Sequence, residues 1–204
     1  MSYDMGTVDL FYHFPNAIPK SKIPATINNG CFKEGTKIST PSGLINIEEI
    51  KSGQVIYSYD SKENKIIKST VNQLIVHDGK STNPWVILKL SNGLELTVTV
   101  NHSFFDPKEN KFKKLYEFRE GENLLYYDLL NNKFIELEIT ELKILKNTIT
   151  KFYNLDISEP NNYFANGVVV HNLNKQGYAC TAAGYWWGVS CDSSGGVSSY
   201  FSLS

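Results

Sequence analysis

Hydrophobic and polar residues alternate through the middle of the chain, which is the pattern of half-buried β-strands. Asn92-Gly93 joins two of the alternating runs and is a strong hairpin signal, because this dipeptide accepts positive φ. Only 47–51 and 113–118 indicate short helical turns, and no internal repeat is evident. The pattern therefore predicts an all-β zone. The predicted strands are 36–40, 44–47, 55–59, 66–76, 85–90, 94–100, 134–149, 152–157 and 163–170.

Two flanks without clear periodicity border this zone. Residues 1–30 are first aromatic and Pro-containing and then polar, whereas residues 173–204 are rich in Gly, Ser and aromatic side chains. Neither flank is long enough to be a convincing domain. The predicted organisation is an N-terminal flank 1–30, one domain over 31–172 and a C-terminal flank 173–204.

The composition argues against several classes of function. Hydrophobic residues make up 41% and charged residues 20%, which is ordinary for a soluble globular protein. The net charge is −1, whereas a general nucleic-acid binder needs a basic face. No stretch approaches the roughly 18 apolar residues of a membrane span, and residues 1–15 lack the basic start of a secretory leader. We expect a monomer in the cytoplasm without nucleic-acid or membrane partners.

Three cysteines raise the question of what a lone thiol does. Cys180 and Cys191 lie close together in the C-terminal flank and could pair in an oxidising compartment, whereas Cys31 stands alone. The three Cys and four His show no paired-ligand spacing. We therefore expect neither a metal nor another cofactor.

Cys31 follows Gly30 at the start of the all-β zone. A thiol there can attack the preceding carbonyl and convert the amide into a thioester, and Gly has no side chain to crowd that carbonyl. Aligned intramolecular attack has a very large effective molarity, but the leaving nitrogen needs a proton. His102, in the pattern Thr99-x-x-His102, could supply the proton, and the Thr99 hydroxyl could hold the imidazole or the amide.

His171-Asn172 closes the same zone. An Asn side-chain amide can attack its own backbone carbonyl, closing a succinimide and releasing the chain that follows. The neighbouring imidazole can polarise that carbonyl or protonate the leaving nitrogen. Each motif is weak alone. A lone Cys, a T-x-x-H and a His-Asn pair in this order within one all-β zone indicate self-cleavage.

Together these motifs resemble the Hint family, which includes inteins, bacterial intein-like domains and hedgehog autoprocessing domains. The resemblance implies a horseshoe-shaped, all-β fold with pseudo-two-fold symmetry. It also implies thioester formation by Cys31 with help from Thr99 and His102, and cyclisation of Asn172 with help from His171. The substrates would be the chain's own flanks, with water or an external nucleophile opening the thioester. The segments that carry the resemblance are 31–36, 47–60, 94–105, 152–155 and 162–172.

Three positions depart from the family pattern. Leu173 follows Asn172 and has no nucleophile, so the resemblance is closer to intein-like domains that cleave than to inteins that splice. Asn161 stands where many relatives have a His that assists the closing step, and Asn154 where many inteins have Asp. Asp156 shares a strand face with Asn154 and could support the site or lie on the surface.

Three alternatives remain open at this point. The chain could be an inactive Hint fold that serves as a structural or presentation module, with the aromatic tail around Trp186 as a binding segment. It could attach the N-terminal flank to another molecule through the thioester. Full intein-type splicing is a further alternative, which the side chain of Leu173 disfavours.

Overall fold

Antiparallel β-sheet makes up nearly all of the structure, a computed structural model that describes residues 30–78, 84–145 and 149–172. The predictions for the flanks, including pairing of Cys180 with Cys191, lie outside these residues. The strands are β1 (Phe32–Lys33), β2 (Lys37–Thr40), β3 (Gly43–Asn46), β4 (Val55–Asp60), β5 (Lys65–Asp78), β6 (Trp85–Leu90), β7 (Glu95–Thr99), β8 (Ser103–Asp106), β9 (Lys111–Lys114), β10 (Asn123–Asp128), β11 (Lys133–Ile144), β12 (Lys151–Ile157), β13 (Asn162–Ala165) and β14 (Val168–His171).

The all-β prediction is confirmed, and both expected helical turns are present as single 3-10 turns, Ile47–Glu49 and Leu115–Glu117. Most predicted strands lie within one or two residues of the observed bounds, but two differ by more. The run 163–170 is split into β13 and β14 by a turn at Asn166 and Gly167, whose φ angles are +48° and +83°. The long run that begins at 134 ends with β11 rather than at 149. No helix among the described residues is long and apolar enough to cross a bilayer.

Two parts of the chain have the same order of secondary-structure elements, and together they form the pseudo-two-fold arrangement that the family resemblance implied. In each half a hairpin, a 3-10 turn and a second hairpin follow one another: β2–β3 and β4–β5, then β8–β9 and β10–β11. From β3 and β9 onward, matching positions are separated by 68 residues. Before that point the separation is 66, because the turn between β8 and β9 is two residues longer than that between β2 and β3. The halves share few identical residues, which is why no repeat is evident in the sequence.

The longest strand of each half connects two parts of the sheet. The first part of β5 pairs with β4 and its second part with β12, and β11 is shared in the same way between β10 and β6. The sheet order is β3-β2-β13-β14-β10-β11-β6-β7-β1-β12-β5-β4, with β8 attached to β14 and β9 to β8.

The short strand β1 lies inside this arrangement and positions the site. It pairs with β7 on one side and β12 on the other, through Phe32 opposite Val98 and Tyr153. Phe32 is fully buried in the main core. Burial of a large apolar side chain stabilises the fold by roughly 1.5–3 kcal/mol. The packing of Phe32 therefore fixes the preceding residue, Cys31, between strands from both halves of the chain.

Candidate active site

The peptide nitrogen of Cys31 is held by Thr99. The backbone N–H of Cys31 donates a hydrogen bond to Thr99 Oγ1 at 2.8 Å, and the backbone N–H of Thr99 donates to the Cys31 carbonyl at 3.0 Å. Both side chains are buried. Because the Cys31 nitrogen would be the leaving group of the predicted thioester step, the Thr99 hydroxyl is in position to orient that nitrogen.

The carbonyl on the other side of this peptide bond is held by Asn154. Its Nδ2 donates a hydrogen bond to the Gly30 oxygen at 2.5 Å. Its Oδ1 accepts hydrogen bonds from the Leu155 N–H at 2.8 Å and from the Tyr163 hydroxyl at 3.1 Å. A fixed donor at this oxygen is what an oxyanion hole requires. Sequence reasoning treated Asn154 only as a supporting residue and did not identify Tyr163.

His102 packs directly against Gly30. A Cβ atom added to Gly30 would lie 2.3 Å from the Cα of His102 and 2.6 Å from its Nδ1. The imidazole also packs on Phe32, with ring centroids 4.2 Å apart. Only glycine therefore fits before Cys31 in this arrangement, and the imidazole lies beside the peptide bond that it was predicted to protonate.

Burial controls the protonation states of both groups. It raises the pKa of the Cys31 thiol to about 12. It also lowers the pKa of His102 to about 3, assisted by the positive charge of Lys114, while the Gly30 backbone acts in the opposite direction. At neutral pH the site thus contains a thiol and a neutral imidazole. A neutral imidazole can accept the thiol proton and pass it to a departing nitrogen.

His171 and Asn172 form the C-terminal part of the site. Nδ1 of His171 lies 2.9 Å from the backbone carbonyl oxygen of Asn172, and its Nδ1–H tautomer donates a hydrogen bond there. The Asn172 side chain is buried, and its Nδ2 donates to the Ile157 carbonyl at 3.0 Å and to Asn161 Oδ1 at 3.5 Å. The Asn172 N–H donates to the Asn161 carbonyl at 2.8 Å. Asn161 therefore contacts Asn172 through both its backbone and its side chain.

The two parts of the site are neighbours. Val170 of β14 pairs with Phe104 of β8 in antiparallel orientation, so the end of β14, which leads to Asn172, lies beside the start of β8, which follows His102. The charge of His171 also contributes to the lowered pKa of His102.

Lys114 lies beside both imidazoles and was not identified from the sequence. It pairs with Ser103, the first residue of β8, which directly follows His102. Burial, and then the Lys114 charge, lower the pKa of His171, whereas the Asn172 backbone and Glu159 act in the opposite direction. A basic residue in a short polar strand is too common a signal to have marked this position.

The structure does not bring Asp156 into the same group. Its carboxylate accepts a hydrogen bond at 3.4 Å from Asn72, which belongs to β5. The side chain of Asp156 is half-buried, whereas that of Asn154 is buried. Within the described ranges, no group of three or more His, Cys, Asp or Glu side chains is arranged to hold a metal ion.

Comparison with known proteins adds three similarities. The sequence matches the family described as pretoxin Hint domain over residues 37–173. The fold is similar to a DnaB intein from Synechocystis sp. PCC 6803, with 19% identity, a TM-score of 0.62 and coverage of 71% of this chain and 99% of that chain. It is also similar to a bacterial intein-like domain from Clostridium thermocellum, with 26% identity, a TM-score of 0.57 and coverage of 70% and 98%. No curated protein matches the sequence significantly.

Proposed function

This chain belongs to the pretoxin Hint domain family, and we propose that it breaks two of its own peptide bonds, Gly30–Cys31 and Asn172–Leu173. One observation carries the proposal: each of the two carbonyl oxygens has a side-chain donor directed at it. Asn154 Nδ2 lies 2.5 Å from the Gly30 oxygen, and His171 Nδ1 lies 2.9 Å from the Asn172 oxygen. Donors placed where negative charge develops are the largest single contribution to many acyl-transfer reactions.

The N-terminal step is an acyl shift from nitrogen to sulfur. His102 accepts the thiol proton of Cys31 as Sγ attacks the Gly30 carbonyl carbon, and the oxyanion is stabilised by Asn154 Nδ2. The C–N bond then breaks, and His102 returns the proton to the departing nitrogen, which Thr99 Oγ1 already contacts. The products are a thioester at Gly30 and a free amine on Cys31. Water or an external nucleophile opens the thioester and releases residues 1–30.

The C-terminal step is cyclisation of Asn172. Nδ2 attacks the backbone carbonyl carbon of the same residue, the C–N bond to Leu173 breaks, and one proton moves from Nδ2 to the leaving nitrogen. His171 Nδ1–H stabilises the oxyanion, while Asn161 holds the backbone of Asn172. Leu173 has no hydroxyl or thiol to accept the acyl group, so the reaction is cleavage rather than splicing. The substrates are the chain's own flanks, and neither step uses a cofactor.

Intact mass spectrometry of the purified chain, with and without dithiothreitol, tests this proposal. We expect fragments that end at Gly30 and begin at Leu173, with the thiol accelerating only the first break. Cys31→Ala should abolish the first break and Asn172→Ala the second, and Asn131→Ala, at an exposed turn, should change neither. An unchanged mass over several days would show instead an inactive Hint module. Amine adducts on residues 1–30 would show transfer to another molecule.

A further inference from the structure

Tyr163 is a fully buried residue that the reaction described so far does not use. Its hydroxyl donates a hydrogen bond to Asn154 Oδ1 at 3.1 Å, on the side of the amide opposite to Gly30. We propose that Tyr163 is a positioning residue for the N-terminal cleavage, which holds the Asn154 amide with its Nδ2 directed at the Gly30 carbonyl. This inference rests on the proposed function only for the step at Gly30.

The argument starts from the near-symmetry of an Asn amide, whose two orientations have almost the same shape. In the observed orientation, Oδ1 faces the donors of Leu155 and Tyr163, and Nδ2 faces the Gly30 carbonyl oxygen. In the reversed orientation, the NH2 group would face the Leu155 N–H, and Oδ1 would face another acceptor. Asn154 is buried, so neither unpaired group could form a hydrogen bond with water instead, and the reversed orientation is strongly disfavoured. The Tyr163 hydroxyl is one of the two donors that select the orientation.

The Tyr163 hydroxyl can serve as a permanent donor. Burial, and then the neighbouring Cys31, raise the pKa of Tyr163 well above its ordinary value, so the phenol remains protonated when the thiol reacts. A hydrogen bond received at Oδ1 also polarises the amide and strengthens Nδ2–H as a donor. Tyr163 therefore supports both the direction and the strength of the hydrogen bond to the developing oxyanion.

The backbone holds this hydroxyl in place. Tyr163 pairs with Val170 in the β13–β14 ladder, and its ring meets that of Phe32 edge-on, with centroids 6.4 Å apart. The side chain is thus fixed between the strand that leads to Asn172 and the strand that follows Cys31.

Tyr163→Phe tests the proposal because it removes only the hydroxyl. We expect thiol-induced cleavage at Gly30 to slow about 3- to 10-fold, the equivalent of one hydrogen bond, while cleavage after Asn172 changes less than about twofold. Tyr59→Phe is the matched control, because the Tyr59 hydroxyl donates to Asn64 Oδ1 at the same distance of 3.1 Å. It should leave both cleavage rates unchanged.

Two further measurements separate positioning from a general structural role. In an Asn154→Ala background, Tyr163→Phe should cause no additional slowing, and an equal slowing in both backgrounds would overturn the proposal. In a Cys31→Ala chain, exchange of the Asn154 Nδ2 hydrogens, measured by NMR, should accelerate about tenfold with Tyr163→Phe and remain constant with Tyr59→Phe. Unchanged exchange would overturn the proposal whether or not the wild type cleaves. Faster exchange in a chain that never cleaves would refute the proposed function alone.

Discussion

Two stretches of the chain, 47–65 and 115–133, fold alike, although only six of their nineteen aligned positions are identical. Each begins with a 3-10 turn, continues through a glycine with positive φ and ends in a hairpin closed by a Tyr-to-Asn hydrogen bond. The glycines are Gly53 and Gly121, with φ angles of +81° and +89°. The hydrogen bonds run from Tyr59 to Asn64 and from Tyr127 to Asn132.

The halves differ where the chemistry is placed. Cys31 and Thr99 bond to each other, but at the 66-residue separation of β2 and β8 the counterpart of Cys31 is Thr97, which has no thiol. The counterpart of Asn154 is Ile87, because Asn154 pairs with Ile75 and Ile87 pairs with the matching residue Lys143. Ile87 has no polar atom in its side chain. The positions repeated in both halves therefore stabilise the fold, and the positions at which the halves differ take part in the proposed reaction. We therefore expect substitutions where the halves differ to change cleavage most, and substitutions at the repeated positions to change mainly stability.

Replacing Asn154 with an apolar residue, Asn154→Val, removes the donor at the Gly30 carbonyl. We expect the cleavage at Gly30 to slow about 10²- to 10³-fold, because one oxyanion donor is lost, and the cleavage after Asn172 to continue. Thiol-induced fragment formation followed by mass spectrometry measures both rates. Asn72→Val, at an exposed position of β5, should leave the rates unchanged. Loss of both cleavages in Asn154→Val would indicate a folding defect. It would contradict the assignment of Asn154 to the reaction rather than to folding.

Gly30→Ala places a Cβ against the His102 backbone, so the Gly30 carbonyl or the His102 imidazole must move. The cleavage between residues 30 and 31 should therefore slow about 10²-fold. Gly35→Ala is a useful comparison, since a Cβ there meets open space but the φ of +85° is unfavourable for Ala. It should lower the free energy of unfolding by about 1 kcal/mol without slowing cleavage. Equal cleavage in wild type and Gly30→Ala would show that the close packing is not required.

His102 should make folding stability depend on pH, whereas its counterpart Thr36, which precedes β2 as His102 precedes β8, has no titratable side chain. Its pKa is lowered from 6.5 to about 3, so between these values the unfolded chain binds a proton that the native chain does not. The free energy of unfolding should therefore fall as pH decreases through this window, by up to about 1.4 kcal/mol per pH unit. Urea unfolding at pH 6.5 and 5, in a Cys31→Ala/Asn172→Ala chain with and without His102→Phe, measures the difference. Identical slopes would contradict a buried neutral imidazole.

Lys114→Asn introduces the residue found at the counterpart position, Asn46. Removal of this positive charge should raise the pKa of both His102 and His171 toward the ordinary value. NMR titration of the two imidazoles in the cleavage-blocked chain measures the shifts, and Lys114→Arg should preserve the low values. If neither titration moved, Lys114 would have no electrostatic role at the site.

The smallest effects are expected at the repeated tyrosines. Tyr59→Phe and Tyr127→Phe each remove one hydrogen bond to a turn Asn, and each should lower the free energy of unfolding by about 1 kcal/mol. Urea unfolding and cleavage kinetics together test whether these residues serve folding alone. A large loss of cleavage in either variant would contradict the assignment.

Local patterns were enough to predict the all-β class and to select Cys31, His102 and Asn172 as candidate site residues, because alternation and adjacent motifs are visible in short windows. Strands β1, β8 and β9 were missed because each has only two to four residues, too few to show an alternating pattern, and β10 because its apolar residues do not alternate. The contacts of Asn154 with Gly30 could not be predicted, since 124 positions separate the two residues. Their proximity comes from β1 lying next to β12, which is a property of the whole sheet.

The chemical ends of the fragments test the central claim most directly, namely that the Gly30 and Asn172 carbonyls are the reacting groups. With dithiothreitol present, mass spectrometry should find residues 1–30 as a dithiothreitol thioester. The fragment 31–172 should end in a succinimide and be one water lighter than the same fragment with a free Asn terminus. Fragments that end in ordinary carboxylic acids and persist in the Cys31→Ala and Asn172→Ala chains would contradict the account.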